Sequence, residues 1–240
     1  MHSPMRTVAI IPAAGVGARM ETDRAKQFLD FHGKPLLTVT LEKFQDSPAI
    51  HGIILVVQQD QLDYCAKEII EPYHLTKVEK VVMGGAKRQD SVRLGIEASD
   101  GHYELILIHD GVRPLVDSRL IEKIVAAGER ERAVITALPV KETVKEVDGN
   151  AQVIKTWDRG QLRLVQTPQI FRYGDILKAH QRAIEEGWEA MTDDALLVEK
   201  IGIPVRVIEG SETNIKVTTP HDMALARLLW ASNKAHTLDN

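Results

Sequence analysis

Pro12-Ala13-Ala14-Gly15-Val16-Gly17-Ala18-Arg19-Met20 carries almost no side-chain bulk until its last two residues, and a second cation, Lys26, follows shortly after Arg19. A backbone this bare can close around a ligand and turn its N–H groups inward. Spaced cations beside such amides suit a polyphosphate, whose oxygens need both hydrogen bonds and neutralisation. The plainer reading is a glycine-rich turn between a strand and a helix. The Walker pattern is absent, since no Lys-Ser/Thr pair follows the second glycine, and the dinucleotide pattern G-x-G-x-x-G fails at Met20.

Further chemistry-bearing residues stand just after apolar runs. Gly84-Gly85-Ala86-Lys87-Arg88-Gln89-Asp90-Ser91 is a second small-residue loop with cations, and His109-Asp110-Gly111-Val112-Arg113-Pro114 ends another run. In open parallel sheets ligands bind beyond the carboxyl ends of the strands, so these loops and the first one are expected to converge. A carboxylate at the end of an apolar strand needs a partner, so Asp110 either helps hold Mg²⁺ on phosphates or pairs with Arg113. His109 is read as a hydrogen-bonded structural histidine before a general base. Two later segments look unlike scaffold: Thr167-Pro168-Gln169, and Asn214-Ile215-Lys216-Val217-Thr218, where a lysine sits in a β-type segment. Lys216 either faces solvent on an edge strand or enters the site. Thr192-Asp193-Asp194 reads as a helix cap. No zinc-type His/Cys spacing and no G-x-S-x-G motif is present. The single cysteine, Cys65, excludes an internal disulfide and reads as a structural thiol.

The elements that would position these groups follow from periodicity. Short β-rich runs at 8–11, 53–57, 78–83, 105–109, 133–138, 162–166 and 205–208 alternate with amphipathic stretches at 35–45, 61–71, 91–99, 118–131, 174–186, 193–201 and 220–230. The pattern predicts an α/β fold with a mainly parallel sheet and helices on both faces. It breaks at 143–147 and 152–157, two β-type segments around Asp148-Gly149-Asn150, which predict a hairpin. The hairpin either projects as an arm onto another subunit or folds against its own domain. We expect one domain over 6–231, the arm at about 139–159, and a polar, frayed tail at 232–240. With 240 residues, 44% hydrophobic content and a net charge of −4, the chain fits a globular protein and not a general nucleic-acid binder. The absence of a signal peptide or an apolar run of membrane-spanning length makes a cytoplasmic location the expectation.

Taken in order, Pro-Ala-Ala-Gly-x-Gly-x-Arg-Met, Lys26-Gln27, Gly85 to Ser91, His-Asp-x-x-Arg-Pro, Thr-Pro-Gln, Thr192-Asp193 and Asn-Ile-Lys-Val-Thr resemble the 2-C-methyl-D-erythritol 4-phosphate cytidylyltransferases of the non-mevalonate isoprenoid pathway, from about Val8 to Leu228. The resemblance implies a Rossmann-like domain whose β-arm builds a homodimer, acting on CTP and a polyol phosphate with Mg²⁺ or another divalent cation. It implies that Pro12, Ala13, Ala14, Gly15, Gly17, Gly85, Arg88 and Ser91 hold the nucleotide. Arg19 and Lys26, with Lys216 and Arg159, would be catalytic. Asp110, Gly111 and Arg113 would lie near ribose, metal and substrate. Thr143 and Arg159 would reach the partner's site from the arm, and Thr167, Thr192 and Thr218 would complete the contacts. Two departures, Ala86-Lys87 after the Gly-Gly pair and Gly111-Val112 after His-Asp, keep those loops small. A ribitol 5-phosphate cytidylyltransferase and a non-catalytic CTP sensor are the alternative readings.

Overall fold

Strands apolar on both faces must be covered on both faces, and that requirement organises the molecule. The computed structural model describes residues 4–15, 25–189 and 191–238, with side chains as far as Ser232 in the last helix. Its strands are β1 (Thr7–Pro12), β2 (Asp30–Phe31), β3 (Lys34–Pro35), β4 (Gly52–Val57), β5 (Val78–Met83), β6 (Leu105–Ile108), β7 (Ala133–Pro139), β8 (Lys145–Val147), β9 (Val153–Thr156), β10 (Arg163–Arg172) and β11 (Arg206–Glu209). Its helices are α1 (Leu36–Gln45), α2 (Leu62–Tyr64), α3 (Arg88–Ala98), α4 (Ser118–Gly128), α5 (Tyr173–Glu185), α6 (Asp194–Lys200) and α7 (Pro220–Leu238).

Among the described residues, seven strands form one sheet in the order β11-β7-β10-β6-β1-β4-β5. Only β10 runs antiparallel to its neighbours, β6 and β7. The reason lies in the connections. Parallel neighbours need a crossover, which the helices supply, whereas β7 and β10 are joined through a hairpin that reverses the chain. Alternation along β1 divides the core. Ala9 and Ile11 pack with Leu37, Leu41, Phe44, Ile121 and Ile124 on the face covered by α1 and α4. Val8 and Ile10 pack with Val92, Ile96, Ile176 and Ala179 on the face covered by α3 and α5. Each of the Val, Leu, Ile and Phe side chains among them, fully buried, contributes about 1.5–3 kcal/mol.

Several expectations shift at their edges. The stretch 61–71 is not one regular helix: α2 spans a single turn and continues as a π-helical turn, Cys65–Ile70. Cys65 is buried, and burial pushes its thiol up to about 12, as suits a structural role. The β-type run at 162–166 is the first part of a longer strand, β10. Helical backbone reaches Leu238, into the polar tail expected to fray. No helix is long and apolar enough to cross a membrane among the described residues.

The hairpin forms as expected: β8 and β9 make a separate two-stranded sheet. Val147, Val153, Ile154 and Trp157 stay exposed, Ile154 at 62%. The reading in which the hairpin buries its apolar residues against its own domain therefore fails, and it stands as an arm.

Helix α3 lies close on the sheet because Gly95 lacks a side chain. A Cβ there would come within 2.5 Å of Ile10 Cγ2 and 3.0 Å of Val56 Cγ2. Gly95→Val is expected to lower unfolding free energy by about 2 kcal/mol, because overpacking at a buried junction outweighs the relief of glycine's backbone entropy. Urea denaturation checks this, and unchanged stability would contradict the close packing.

Candidate active site

The carboxyl ends of β1, β5 and β6 bring the three expected loops together. The first loop leaves β1 with Ala13 N donating to Val56 O (2.7 Å). It is then held from outside: Gln27 Nε2 donates to Ala13 O (2.7 Å) and Gln58 Nε2 to Ala14 O (3.1 Å). The second loop turns on Ser91, whose Oγ accepts from Gly85 N (3.1 Å) and donates to Lys87 O (3.2 Å). Gly84 is required there, since a Cβ would lie 2.6 Å from Ala14 Cβ, so the two loops touch through their smallest residues. Gly111 donates its N–H to Pro12 O (3.2 Å) and fits between Leu37, Ala13 and Ile11.

Two adjoining cavities result. The first, about 210 Å³, is walled by Pro12, Ala13, Ala14, Gly15, Lys26, Gly85, Arg88, Ser91, Asp110 and Lys216. The second, about 450 Å³, is walled by Arg88, Asp110, Arg113, Thr167, Thr192 and Lys216, with Gln166, Gln169 and Asp193. Arg88, Asp110 and Lys216 belong to both walls and form the boundary between them.

Charge at this boundary is tightly arranged. Asp110 is buried, with Arg88 Nε 3.1 Å from Oδ1, and Lys216 Nζ at 2.9 Å and Arg113 Nε at 3.5 Å from Oδ2. Burial by itself would raise the Asp110 carboxyl, but the charges of Arg88, Lys216 and Arg113 outweigh it and hold it well below the usual carboxylate range. Asp110 is thus ion-paired with three cations, where the sequence suggested a metal or Arg113 alone. Among the described residues no group of three or more His, Cys, Asp or Glu could hold a metal ion. Arg113 donates through Nη1 to Asn214 O (2.8 Å), and Asn214 Nδ2 donates to Thr167 O (2.7 Å).

His109 lies beneath this group. Its Nε2 is 3.1 Å from Arg113 O and its Nδ1 3.2 Å from Thr167 Oγ1. A carbonyl only accepts, which places the proton on Nε2 and lets Thr167 donate to Nδ1, while Thr167 Oγ1 accepts from Asp110 N (3.1 Å). Burial lowers the His109 pKa to about 4, so the ring is neutral near pH 7. It is a structural histidine, with both nitrogens engaged.

Sequence reasoning placed Lys216 in a β-type segment. The structure shows irregular chain there, fixed by Val217 N donating to Val112 O (2.9 Å) and by the buried Asn214. Without a strand ladder, Lys216 is free to enter the site instead of facing solvent on an edge. Gly111 lies outside both walls and serves packing. Thr218 also lies outside them: its N–H and hydroxyl both donate to Asp222 Oδ2 (2.8 Å each) at the start of α7. Thr143 and Arg159 are exposed on the arm segment, Arg159 donating to Lys141 O. Arg19 and Gly17 fall outside the described residues. Asp194 was read only as part of a cap, yet it accepts from Arg88 Nη1 (2.8 Å). Gln58 and Gln166 carried no sequence signal, because an isolated glutamine marks nothing until its partner is known, whereas Gln169 was marked by the Thr-Pro-Gln segment.

Comparisons with known proteins show what the chain as a whole is similar to. A family model described as 2-C-methyl-D-erythritol 4-phosphate cytidylyltransferase matches residues 7–231. Proteins of that name from Desulforamulus reducens and Syntrophus aciditrophicus are 46% and 43% identical, each over 92% of this chain and 94% of the relative. The crystal structure of 4-diphosphocytidyl-2C-methyl-D-erythritol synthase from Anaerococcus prevotii superposes with a TM-score of 0.83 at 33% identity, over 95% of this chain and 97% of that one. The 2-C-methyl-D-erythritol 4-phosphate cytidylyltransferase from Thermus thermophilus gives a TM-score of 0.74 at 34% identity, over 92% and 98%.

The buried imidazole makes stability depend on pH. Its pKa is about 4 in the folded protein against an ordinary 6.5, so on acidification the unfolded chain gains a proton that the native protein refuses. Its contribution is intact above pH 6.5 and is lost as pH falls toward 4. Asp110 follows the same sign in a lower window: its folded value lies below the ordinary 3.8, so its contribution is intact above that value and is lost only in stronger acid. Urea denaturation is expected to show about 2 kcal/mol less stability near pH 5 than near pH 7.5 from His109. His109→Gln should flatten that slope, and equal slopes in both proteins would contradict the assignment.

Proposed function

The chain belongs to the 2-C-methyl-D-erythritol 4-phosphate cytidylyltransferase family and is a nucleotidyltransferase acting on CTP and 2-C-methyl-D-erythritol 4-phosphate, and we propose that its two adjoining cavities hold one reactant each. CTP occupies the cavity floored by the Ala13–Gly15 backbone and Gly85, and the polyol phosphate occupies the one beside Thr167 and Thr192. The observation that carries this reading is the shared boundary of Arg88, Asp110 and Lys216, across which the two reactants would meet.

A phosphate oxygen of the acceptor attacks the α-phosphorus of CTP. The new P–O bond forms as the bond to the β-phosphate oxygen breaks, and pyrophosphate leaves in line with both electrons of that bond. The nucleophile is already an anion, so no general base is required. The barrier is instead the approach of two anions, which fixed cations offset as charge develops on the phosphorus. Lys26 and Lys216 line the first cavity and are placed for this work, and Arg19 joins them by the sequence motif. Ser91 and Gly85 set the loop shape that receives the nucleotide.

A divalent cation, Mg²⁺ by expectation, belongs to the nucleotide more than to the protein. Asp110 is the one carboxylate on the first cavity's wall among the described residues, and its oxygens already face cations. The donor set therefore fits a cation carried in on triphosphate oxygens, with Asp110 alongside. Bound there, it would neutralise phosphate charge. The exposed apolar arm supports a homodimer, in which Thr143 and Arg159 reach the acceptor cavity of the other subunit.

Pyrophosphate release from CTP tests the reaction. It should be fast with 2-C-methyl-D-erythritol 4-phosphate, slow with ribitol 5-phosphate, and abolished by EDTA. CTP binding without release would favour a sensor. Lys26→Ala should fold normally and lose on the order of 10²–10³ in kcat, about 3–4 kcal/mol in the barrier; unchanged turnover removes Lys26 from the chemistry. Inactive Lys26→Ala and Arg159→Ala proteins, unfolded and refolded together, should regain part of the activity if Arg159 works across a dimer. No recovery would confine each site to one chain.

A further inference from the structure

Arg88 is gripped from two sides, and only one of them faces the cavities. Its Nε meets Asp110, which lines both walls, while its Nη1 donates to Asp194 Oδ2 at 2.8 Å. Asp194 is 1% exposed and lies on neither wall, so no ligand in either cavity can reach it. Behind it stands His180, fully buried, with Nε2 3.7 Å from the other carboxylate oxygen. Burial lowers the His180 pKa against the opposing pull of Asp194, so the ring is neutral near pH 7 and leaves Arg88 as the cation that Asp194 serves. The contact joins the first residue of α3 to the first residue of α6, far apart in sequence. The neighbouring residue Asp193 makes a parallel tie: its Oδ1 accepts from Leu196 N (3.1 Å), and its Oδ2 accepts from Gln169 Nε2 (2.9 Å), on the wall of the second cavity.

We propose that Asp194 is a positioning residue for the cytidylyl transfer: from behind both cavities it fixes the Arg88 guanidinium at their boundary. The physical case rests on geometry. A guanidinium with one carboxylate partner can pivot about it, whereas two carboxylates on different elements fix both its place and its plane. Arg88 without Asp194 would keep its bond to Asp110 and swing toward the phosphates or collapse onto Asp110, drawing it from Lys216 and Arg113. Burial of Asp194 makes the tie strong, since water does not compete for its oxygens. The inference rests on the reading of the two cavities as reactant sites.

A double-mutant comparison tests it in the full chain. Asp194→Asn keeps the shape and removes the charge. It is expected to lower kcat/KM for CTP about tenfold or more and to weaken CTP binding, measured by calorimetry, in the same direction. In an Arg88→Ala background the same change should alter either quantity less than about twofold, because the group that Asp194 acts through is gone. A general structural role would lower activity equally in both backgrounds, and that result overturns the proposal, as does an Asn variant that folds and keeps full affinity and turnover. Thermal melts verify folding. If the Asn variant does not fold, Asp194→Glu, which retains the charge but displaces the carboxylate by one methylene, enters the same comparison with the same deciding outcomes. Calorimetric CTP binding is independent of the acceptor, so a wrong acceptor would abolish turnover while leaving the comparison of affinities intact.

Discussion

One buried carboxylate with three cations around it is the constraint on which the site depends. A lone ionised carboxyl at the end of an apolar strand would be strongly unfavourable, and a cluster of unpaired cations equally so. Asp110 resolves both difficulties. It holds Arg88, Arg113 and Lys216 within 3.5 Å of its own oxygens, offsets their mutual repulsion, and leaves the group net positive. A protein that is acidic overall thus maintains a local cationic edge. Coulomb energy at such distances is far larger where water is excluded than at a surface, which is why four side chains suffice.

The scaffold serves this arrangement by fixing the backbone beneath it. β1 and β6 deliver the first loop and Asp110 side by side as parallel neighbours. The antiparallel β10 lies next to β6 and carries Thr167 over the Asp110 N–H. Pro168 has no N–H to give to a ladder, and the pairing of β10 with β7 shifts register across Thr167 and Pro168. His109 then joins Thr167 to the Arg113 carbonyl, so a neutral imidazole holds together the strand ends from which the charges project. Close approach of the two small-residue loops follows from Gly84 and Ala14, where any larger side chain would separate them.

The arm differs in kind from the rest. The domain conceals its large apolar side chains, whereas the hairpin displays Val147, Val153, Ile154 and Trp157. An isolated two-stranded hairpin is marginal in water, so a surface that receives these side chains would supply both stability to the arm and a reason for its composition. The first part of β10 also exposes Leu164 and Val165, and Val165 lines the second cavity.

The alternation of apolar runs and amphipathic stretches, the hairpin around Asp148-Gly149 and the loops after β1, β5 and β6 were all legible in the sequence, because each is a local property of a few consecutive residues. The motif order was enough to indicate the family. Local pattern failed where the partner lay far along the chain. Nothing near Asp194 shows that it holds Arg88, nothing near Gln58 shows that it holds the Ala14 carbonyl, and the β-type composition of 214–218 gave no sign that a buried Asn214 would keep that segment out of the sheet. Residue types and spacing determined which groups could serve phosphate chemistry. Only the tertiary structure decided how they are charged and aimed, because hydrogen bonds and ion pairs are fixed by distance in space and not by separation in sequence.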